Sequence, residues 1–295
     1  MKILVTGATG FIGQNLISLL LDKNYNIHCI VRQNSDTSKI DKRAKIFKYN
    51  SCVDSVIEYF QKEKFDGVIH LASLFLAVHT KNDISKLISS NIQFGAELLE
   101  ACKESEVSWF INTGTFWQNY ENEDYNPVNL YAATKEAFEK IAKYYTKTSN
   151  IVFVTIKLND TFGPNDTRNK VFNLWANIAK SAKVLEMSPG EQTIDISYIE
   201  DVVSAYEVLM THLNSDQKDE FRNKEFVVSN NEKMSLKKLS KVFEDATNTK
   251  LNIKWGARHY REREVMVPYN NGQTVPKWNQ KYTLKHAIVK TIGDN

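Results

Sequence analysis

Met1-Lys2-Ile3-Leu4-Val5-Thr6-Gly7-Ala8-Thr9-Gly10-Phe11-Ile12-Gly13 opens the chain. An apolar run, Ile3–Val5, meets Gly7, Gly10 and Gly13, and an amphipathic stretch follows with Leu16, Ile17, Leu19 and Leu20. This order predicts a buried strand, a glycine turn and a helix start. Gly7 permits the tight turn, Gly10 lets the backbone approach a pyrophosphate, and Gly13 allows close helix–strand packing. The free N–H groups of the helix start face the phosphates. A dinucleotide is therefore the expected ligand, held by Gly7, Thr9, Gly10, Phe11, Ile12 and Gly13.

Further along, strand-like runs alternate with helical patterns. The strands read Ile3–Val5, Ile27–Val31, Lys45–Tyr49, Gly67–Leu71, Trp109–Asn112 and Ile151–Leu158. Between them lie helices at Gln14–Leu21, Val53–Gln61, Ile92–Lys103 and Leu130–Tyr145. The alternation predicts an α/β fold with a Rossmann-like, doubly wound parallel sheet in the order 3-2-1-4-5-6. After Gly163-Pro164 the rhythm changes. A helix at Val171–Ala182 and a strand-like piece at Thr193–Tyr198 precede a helix at Ile199–Leu213. A polar loop, Asn214–Lys224, leads to a strand (Glu225–Ser229), a helix (Leu236–Ala246) and a strand (Leu251–Trp255).

With 295 residues and a net charge of +3, the chain is long enough for a sizeable core and carries no basic block of the kind that grips nucleic acid or a membrane surface. No apolar run reaches bilayer length, and Met1 leads straight into the first strand without a signal-peptide pattern. Cys29, Cys52 and Cys102 are far apart and lack metal-ligand spacing. No metal is expected. Free thiols fit a reducing cytoplasm.

The Thr-Gly-x-x-Gly-x-x-Gly pattern of residues 6–13 resembles the short-chain dehydrogenase/reductase superfamily. Its form here is similar to the extended branch, the NAD-dependent epimerase/dehydratase family, which acts mainly on nucleotide sugars. The resemblance implies a dinucleotide-binding domain over 1–163 plus 199–230. A smaller α/β substrate-binding lobe would take 164–198 plus 231–295.

Tyr131 and Lys135 stand four apart in a helical pattern, hence on one face. The spacing alone is weak. Its position after Ile111-Asn112-Thr113 resembles the superfamily's Ser/Thr, Tyr, Lys catalytic set, which implies catalytic roles for Thr113, Tyr131 and Lys135. A free phenol titrates near ~10, and an adjacent ammonium lowers that value. Lys135 is expected to do this and to hold the nicotinamide ribose. Tyr131 then protonates a carbonyl oxygen as hydride arrives, and Thr113 bonds the same oxygen. Related dehydratases carry Asp and Glu after the hydroxyl residue. Gly114 and Thr115 stand there instead, against water elimination.

Arg32, at the end of the second strand, is placed to pair with a 2′-phosphate, so NADP(H) is expected. NAD(H), bound through Asp36, is the alternative. By resemblance Leu71 and Ala72 run beside the cofactor, Asn50 stands at the adenine, and Asn91 belongs to the cofactor site, steadying its geometry. His70 reads as structural. On the substrate side the resemblance points to Thr115, Asp160, Asn169, Lys170 and Arg261. Asp160 replaces a common Asn, and Ile194 replaces a phosphate-binding Arg.

The nearest group by resemblance comprises the 4-keto reductases that make CDP-dideoxyhexoses, the abequose and paratose synthases. The shared features are Asn112-Thr113-x-Thr115-Phe116, the Tyr131/Lys135 helix ending in Tyr144-Tyr145, Gly190-Glu191-Gln192, and Arg261-x-x-Glu264. NADPH-dependent reduction of a 4-keto-deoxysugar nucleotide for surface polysaccharide is implied. An NAD-retaining epimerase is the alternative. A dinucleotide-sensing regulator without catalysis would have no need of Thr113, Tyr131 and Lys135. The Ile92–Lys103 helix carries an apolar face and the Leu130–Tyr145 helix is apolar on most sides, which predicts a homodimer joined through them.

Overall fold

A computed structural model describes residues 1–181 and 183–292. In chain order its strands are β1 (Lys2–Thr6), β2 (Asn26–Arg32), β3 (Lys45–Tyr49), β4 (Gly67–His70), β5 (Trp109–Thr115), β6 (Val152–Leu158) and β7 (Asp160–Phe162). Then come β8 (Leu185–Glu186), β9 (Thr193–Ile194), β10 (Ile196–Tyr198), β11 (Glu225–Val228), β12 (Met234–Ser235) and β13 (Ile253–Lys254). The α-helices are α1 (Phe11–Asp22), α2 (Val53–Glu63), α3 (Ile84–Ile88), α4 (Phe94–Glu104) and α5 (Leu130–Thr148). They continue with α6 (Val171–Ala179), α7 (Ile199–Leu213), α8 (Leu236–Thr247) and α9 (Leu284–Ile292).

Seven strands form one sheet in the order β3-β2-β1-β4-β5-β6-β11, with every neighbouring pair parallel. The expected order 3-2-1-4-5-6 is present, and β11 extends it by pairing Glu225 opposite Thr155 of β6. Chain order reverses at β1, between β2 and β4. In doubly wound sheets such a reversal marks the ligand-binding end, at the carboxyl ends of the strands.

Period-two alternation divides the core between the sheet's faces. Ile3, Val5, Cys29 and Ile111 join a cluster with Leu16, Ile17 and Leu20 of α1 and Val202 and Leu209 of α7. Leu4, Ile30, Val68 and Phe110 join another with Val56 and Phe60 of α2, Leu98 and Leu99 of α4, and Phe138 and Ala142 of α5. Each such side chain contributes roughly 1.5–3 kcal/mol when fully buried.

The C-terminal elements add three two-stranded pieces: β10 with β7, β12 with β9, and β13 with β8. The run Thr193–Tyr198, expected as one strand, is two. It breaks at Asp195, whose buried carboxylate accepts from Ser229 Oγ (2.7 Å) and Asn230 N (2.9 Å). The helix expected over 171–182 ends at Ala179, and Ala182 and residues 293–295 lie outside the described residues. The helix expected from Ile92 is preceded by a π-helical turn, Ser89–Gln93. Among the described residues no helix is long and apolar enough to cross a membrane.

Candidate active site

Gly7 has φ +69°, and a Cβ built on it would lie 2.8 Å from both Leu71 C and Ala72 N. The end of β4 is thus pressed against the glycine turn. Ala72 N donates to Thr6 Oγ1 (3.1 Å), which lies 2.9 Å from His70 Nδ1. A Cβ on Gly13 would lie 2.2 Å from Gly7 O, so only glycine lets α1 approach the turn this closely. Gly10 is the N-cap of α1. No side chain caps it, and no acidic residue stands in the first turn. The helix therefore offers free N–H groups and a positive end to an anion. These features fit a dinucleotide pyrophosphate.

Arg32 ends β2, and its exposed guanidinium makes no hydrogen bond or ion pair among the described residues. The carboxylate of Asp36 accepts from Ser38 N at 2.9 Å. Asn50 Oδ1 accepts from Cys52 N (3.1 Å) and Ser55 Oγ (2.8 Å), fixing the entry to α2.

Asn129 aims the start of α5. Its Oδ1 accepts from Ala132 N (3.0 Å), and its Nδ2 donates to Leu76 O (3.2 Å) and Ala77 O (3.0 Å). Tyr131 and Lys135 follow on one face. The Tyr131 ring stands edge-on to Phe75, 5.1 Å between centroids. Burial pushes its phenol up to about 12, while the Ser73 and Thr115 hydroxyls beside it pull the other way. The expected lowering by Lys135 is corrected here: burial raises the phenol instead and keeps it protonated. Lys135 is 1% exposed, and its ammonium makes no hydrogen bond among the described residues. Burial draws it down to about 8, opposed by the carboxylate of Glu139.

Thr113 Oγ1 lies 2.7 Å from Tyr206 OH of α7. Thr115 is buried, its Oγ1 accepting from Trp117 N (3.3 Å) and its N–H donating to Gln118 Oε1 (2.9 Å). Thr115 thus caps the turn after β5, with its hydroxyl beside the Tyr131 phenol. Asn91, expected in the cofactor site and as steadying its geometry, is engaged by protein. Its buried Oδ1 accepts from Ser73 Oγ (3.2 Å) and Leu74 N (2.7 Å). Its Nδ2 donates to Leu74 O (3.1 Å) and Thr134 Oγ1 (2.9 Å). All its hydrogen-bonding positions are occupied by protein, so it braces the loop after β4 against α5 rather than reaching a ligand. His70 is buried, and desolvation, then Lys135, holds its imidazole neutral.

Asp160, Asn169, Lys170 and Arg261 all line a cavity of about 380 Å³, as does Phe75, whose ring meets Tyr131. Phe75 and Trp117, 5.4 Å between ring centroids, form the wall on the Tyr131 side. Lys170 Nζ pairs with Asp160 Oδ1 at 2.5 Å, so these two charges largely cancel. Arg263, missed in the sequence, also lines the cavity. Its guanidinium packs 4.3 Å from the Tyr120 ring centroid and donates to Asn126 Oδ1, and its Nε is buried without a partner among the described residues. The run Tyr260-Arg-Glu-Arg-Glu contains both arginines, and nothing in its pattern ranks the inner above the outer.

The sequence profile of the NAD dependent epimerase/dehydratase family matches residues 3–228. This chain belongs to that family. CDP-abequose synthase of Yersinia pseudotuberculosis is 27% identical over 295 residues, covering 99% of each chain. That of Salmonella muenchen is 23% identical over 296 residues, covering 99% of this chain and 97% of the relative. Among solved structures, UDP-glucose 4-epimerase of Thermotoga maritima superposes with a TM-score of 0.85 at 19% identity, covering 99% of this chain and 97% of that one. Pal of Bacillus thuringiensis does so at 0.84 and 22%, covering 99% and 98%. The chain is thus a dinucleotide-dependent enzyme of the extended short-chain dehydrogenase/reductase type.

Behind the site this epimerase/dehydratase-family protein buries a polar network. Gln118 Nε2 donates to Glu136 Oε2 (2.7 Å) and Glu139 Oε1 (3.1 Å). Asn112 Nδ2 donates to the same Glu139 oxygen (3.3 Å). Lys157, 2% exposed, pairs with Glu225 at 2.6 Å and donates to Asn119 Oδ1 at 2.9 Å. The α5 carboxylates are thereby tied to the end of β5 that carries Thr113 and Thr115.

Proposed function

We propose that this chain is an NADPH-dependent reductase of a 4-keto-deoxysugar nucleotide, working in the cytoplasm in surface-polysaccharide assembly. The observation that carries the reading is the place of Tyr131: it shares one face of α5 with Lys135, and its ring stands edge-on to Phe75 of the aromatic-walled cavity. A reductase needs a proton donor at that place. The full-length likeness to CDP-abequose synthases supports the substrate class.

In this reading residues 1–163 with 199–230 bind the cofactor, and 164–198 with 231–295 cover the substrate. The turn from Gly7 through Thr9, Gly10, Phe11 and Ile12 to Gly13 cradles the pyrophosphate. Arg32 pairs with the 2′-phosphate, Asn50 meets the adenine, and Leu71 and Ala72 flank the ribose. Bound NADPH would supply the hydride. Lys135 holds the nicotinamide ribose, and Thr113 bonds the sugar's carbonyl oxygen. Tyr131 gives that oxygen its proton, and solvent restores the proton afterwards. General acid catalysis of this kind contributes roughly 10²–10⁴-fold. Arg261, with Arg263 behind it, meets the diphosphate, and Asn169 and the Lys170–Asp160 pair meet the sugar. Gly114 leaves no carboxylate for water elimination. A Cβ there would lie 2.9 Å from Gln118 Oε1, Lys157 Cγ and Thr155 Cγ2, so the space for an acid is already filled.

The test is a panel of 4-keto sugar nucleotides offered with NADPH and with NADH. Loss of NADPH absorbance with one reduced sugar per hydride is expected. Interconversion of sugars without net cofactor oxidation would make the protein an epimerase. Binding without turnover across the panel would make it a sensor.

A further inference from the structure

Lys135 is a buried ammonium without a hydrogen-bond partner among the described residues. Such a group loses its proton readily unless an opposite charge stands near. Glu139, one helical turn on along α5, is that charge. Asn112 of β5 and Gln118 both donate to its Oε1, at 3.3 and 3.1 Å, so the carboxylate is held in place. The cations near Glu139 are engaged elsewhere: Lys140 with Glu136 at 2.8 Å, and Lys157 of β6 with Glu225 of β11 at 2.6 Å. Glu136 and Glu225 stand as like charges around Glu139. On the other side of Lys135, His70 of β4 and Tyr131 are both uncharged.

We propose that Glu139 is a positioning residue for Lys135: its carboxylate keeps the lysine an ammonium in the cleft, and so sets the pH above which a bound dinucleotide loses that contact. The inference rests on the reading of Lys135 as the ribose contact. Glu139 itself is raised to about 7, by burial first and then by Glu225. Below neutrality the carboxylate takes up its own proton while the ammonium stays.

NADPH binding to the full chain, read by the fluorescence of the bound dinucleotide from pH 6 to 9.5, tests this. Wild type should bind well at neutral pH and weaken as pH rises through about 8. Glu139→Gln preserves the shape and the accepted hydrogen bonds and removes the charge. Its midpoint should fall by about one pH unit, giving several-fold weaker binding at pH 8 and wild-type binding at pH 6. An unmoved midpoint overturns the proposal. Lys135→Arg, whose charge persists throughout this range, should abolish the alkaline weakening with Glu or Gln at 139. A weakening that survives there overturns it too. If Glu139→Gln shows no cooperative melt, Glu139→Asp carries the test. A carboxylate withdrawn on a shorter arm must also lower the midpoint, and an unmoved one overturns the proposal. A wild-type chain that binds no dinucleotide at any pH refutes the reading of Lys135 itself, a result distinct from a shared midpoint.

Discussion

The hydroxyl of Thr113, at the end of β5, and the phenol of Tyr206, on α7, are 2.7 Å apart. The helix packed on α1 therefore holds the hydroxyl that faces Tyr131's neighbourhood. A threonine hydroxyl has one proton and two lone pairs, so the bond to Tyr206 leaves capacity for a ligand oxygen. Tyr206→Phe should cost about 0.5–1.5 kcal/mol of stability in urea melts. Turnover should fall several-fold with dinucleotide affinity unchanged. Wild-type turnover would show the anchor to be dispensable.

Tyr131→Phe is expected to remove most turnover and leave dinucleotide affinity nearly intact. The ring keeps its edge-on contact with Phe75, and only the proton donor is lost. Steady-state kinetics beside a binding titration decide it. Full turnover in the variant would rule out the phenol as the acid.

Arg32→Ala should weaken NADPH selectively. Losing a charge-assisted bond to phosphate costs about 1.5–3 kcal/mol, which is roughly one to two decades in affinity. NADH should bind almost as before. Equal loss for both cofactors would move the 2′-phosphate contact elsewhere.

His28 is buried against Tyr59, 2.7 Å from its hydroxyl, and burial lowers it to about 4. The ordinary value of 6.5 returns on unfolding. The unfolded chain therefore takes up the extra proton. This contribution is complete above pH 6.5 and is lost as pH falls toward 4. His28→Gln cannot titrate, so the stability gap between wild type and variant should shrink by about 2 kcal/mol between pH 7.5 and 5. Urea melts at both pH values measure it, and a constant gap would mean that His28 keeps its ordinary value in the fold.

On α5, Phe138, Ala142 and Tyr145 pack beneath the sheet, whereas Tyr144 is 58% exposed and Ala133, Ala137 and Ile141 are only partly covered. A second copy of the same helix would cover this stripe with two-fold symmetry. We expect a dimer in sedimentation at micromolar concentration, dissociated by Tyr144→Glu. A monomer there would end the idea.

Periodicity along the chain was enough to read six strands of the sheet and the helices between them. The pairing of β11 with β6 was not readable, because a strand's own pattern does not name a neighbour that many residues away. Likewise Thr113 was readable as a hydroxyl closing β5, while its partner lies 93 residues on. Tyr131 and Lys135 could be placed on one helix face. The acidity of the phenol came out reversed, since desolvation depends on Phe75 and the loop after β4, not on the residue four places along. Glu139 carries an ordinary helical spacing. Only the approach of Asn112 and Gln118 from β5 and the turn beyond it distinguishes it from a surface carboxylate.

One hydrophobic cluster runs from Ile156 and Leu158 of the sheet through α7 to Leu239, Phe243, Trp278 and Ile288. Trp278 Nε1 also donates to Ser204 Oγ at 2.9 Å. The C-terminal elements and the sheet thus share a single interior. For anyone grafting a new substrate preference onto this scaffold, the C-terminal part is not a detachable cassette. A chimera joined after Val228 would put two foreign halves of one core face to face. Altered specificity is more readily sought by point changes at the cavity wall than by recombination.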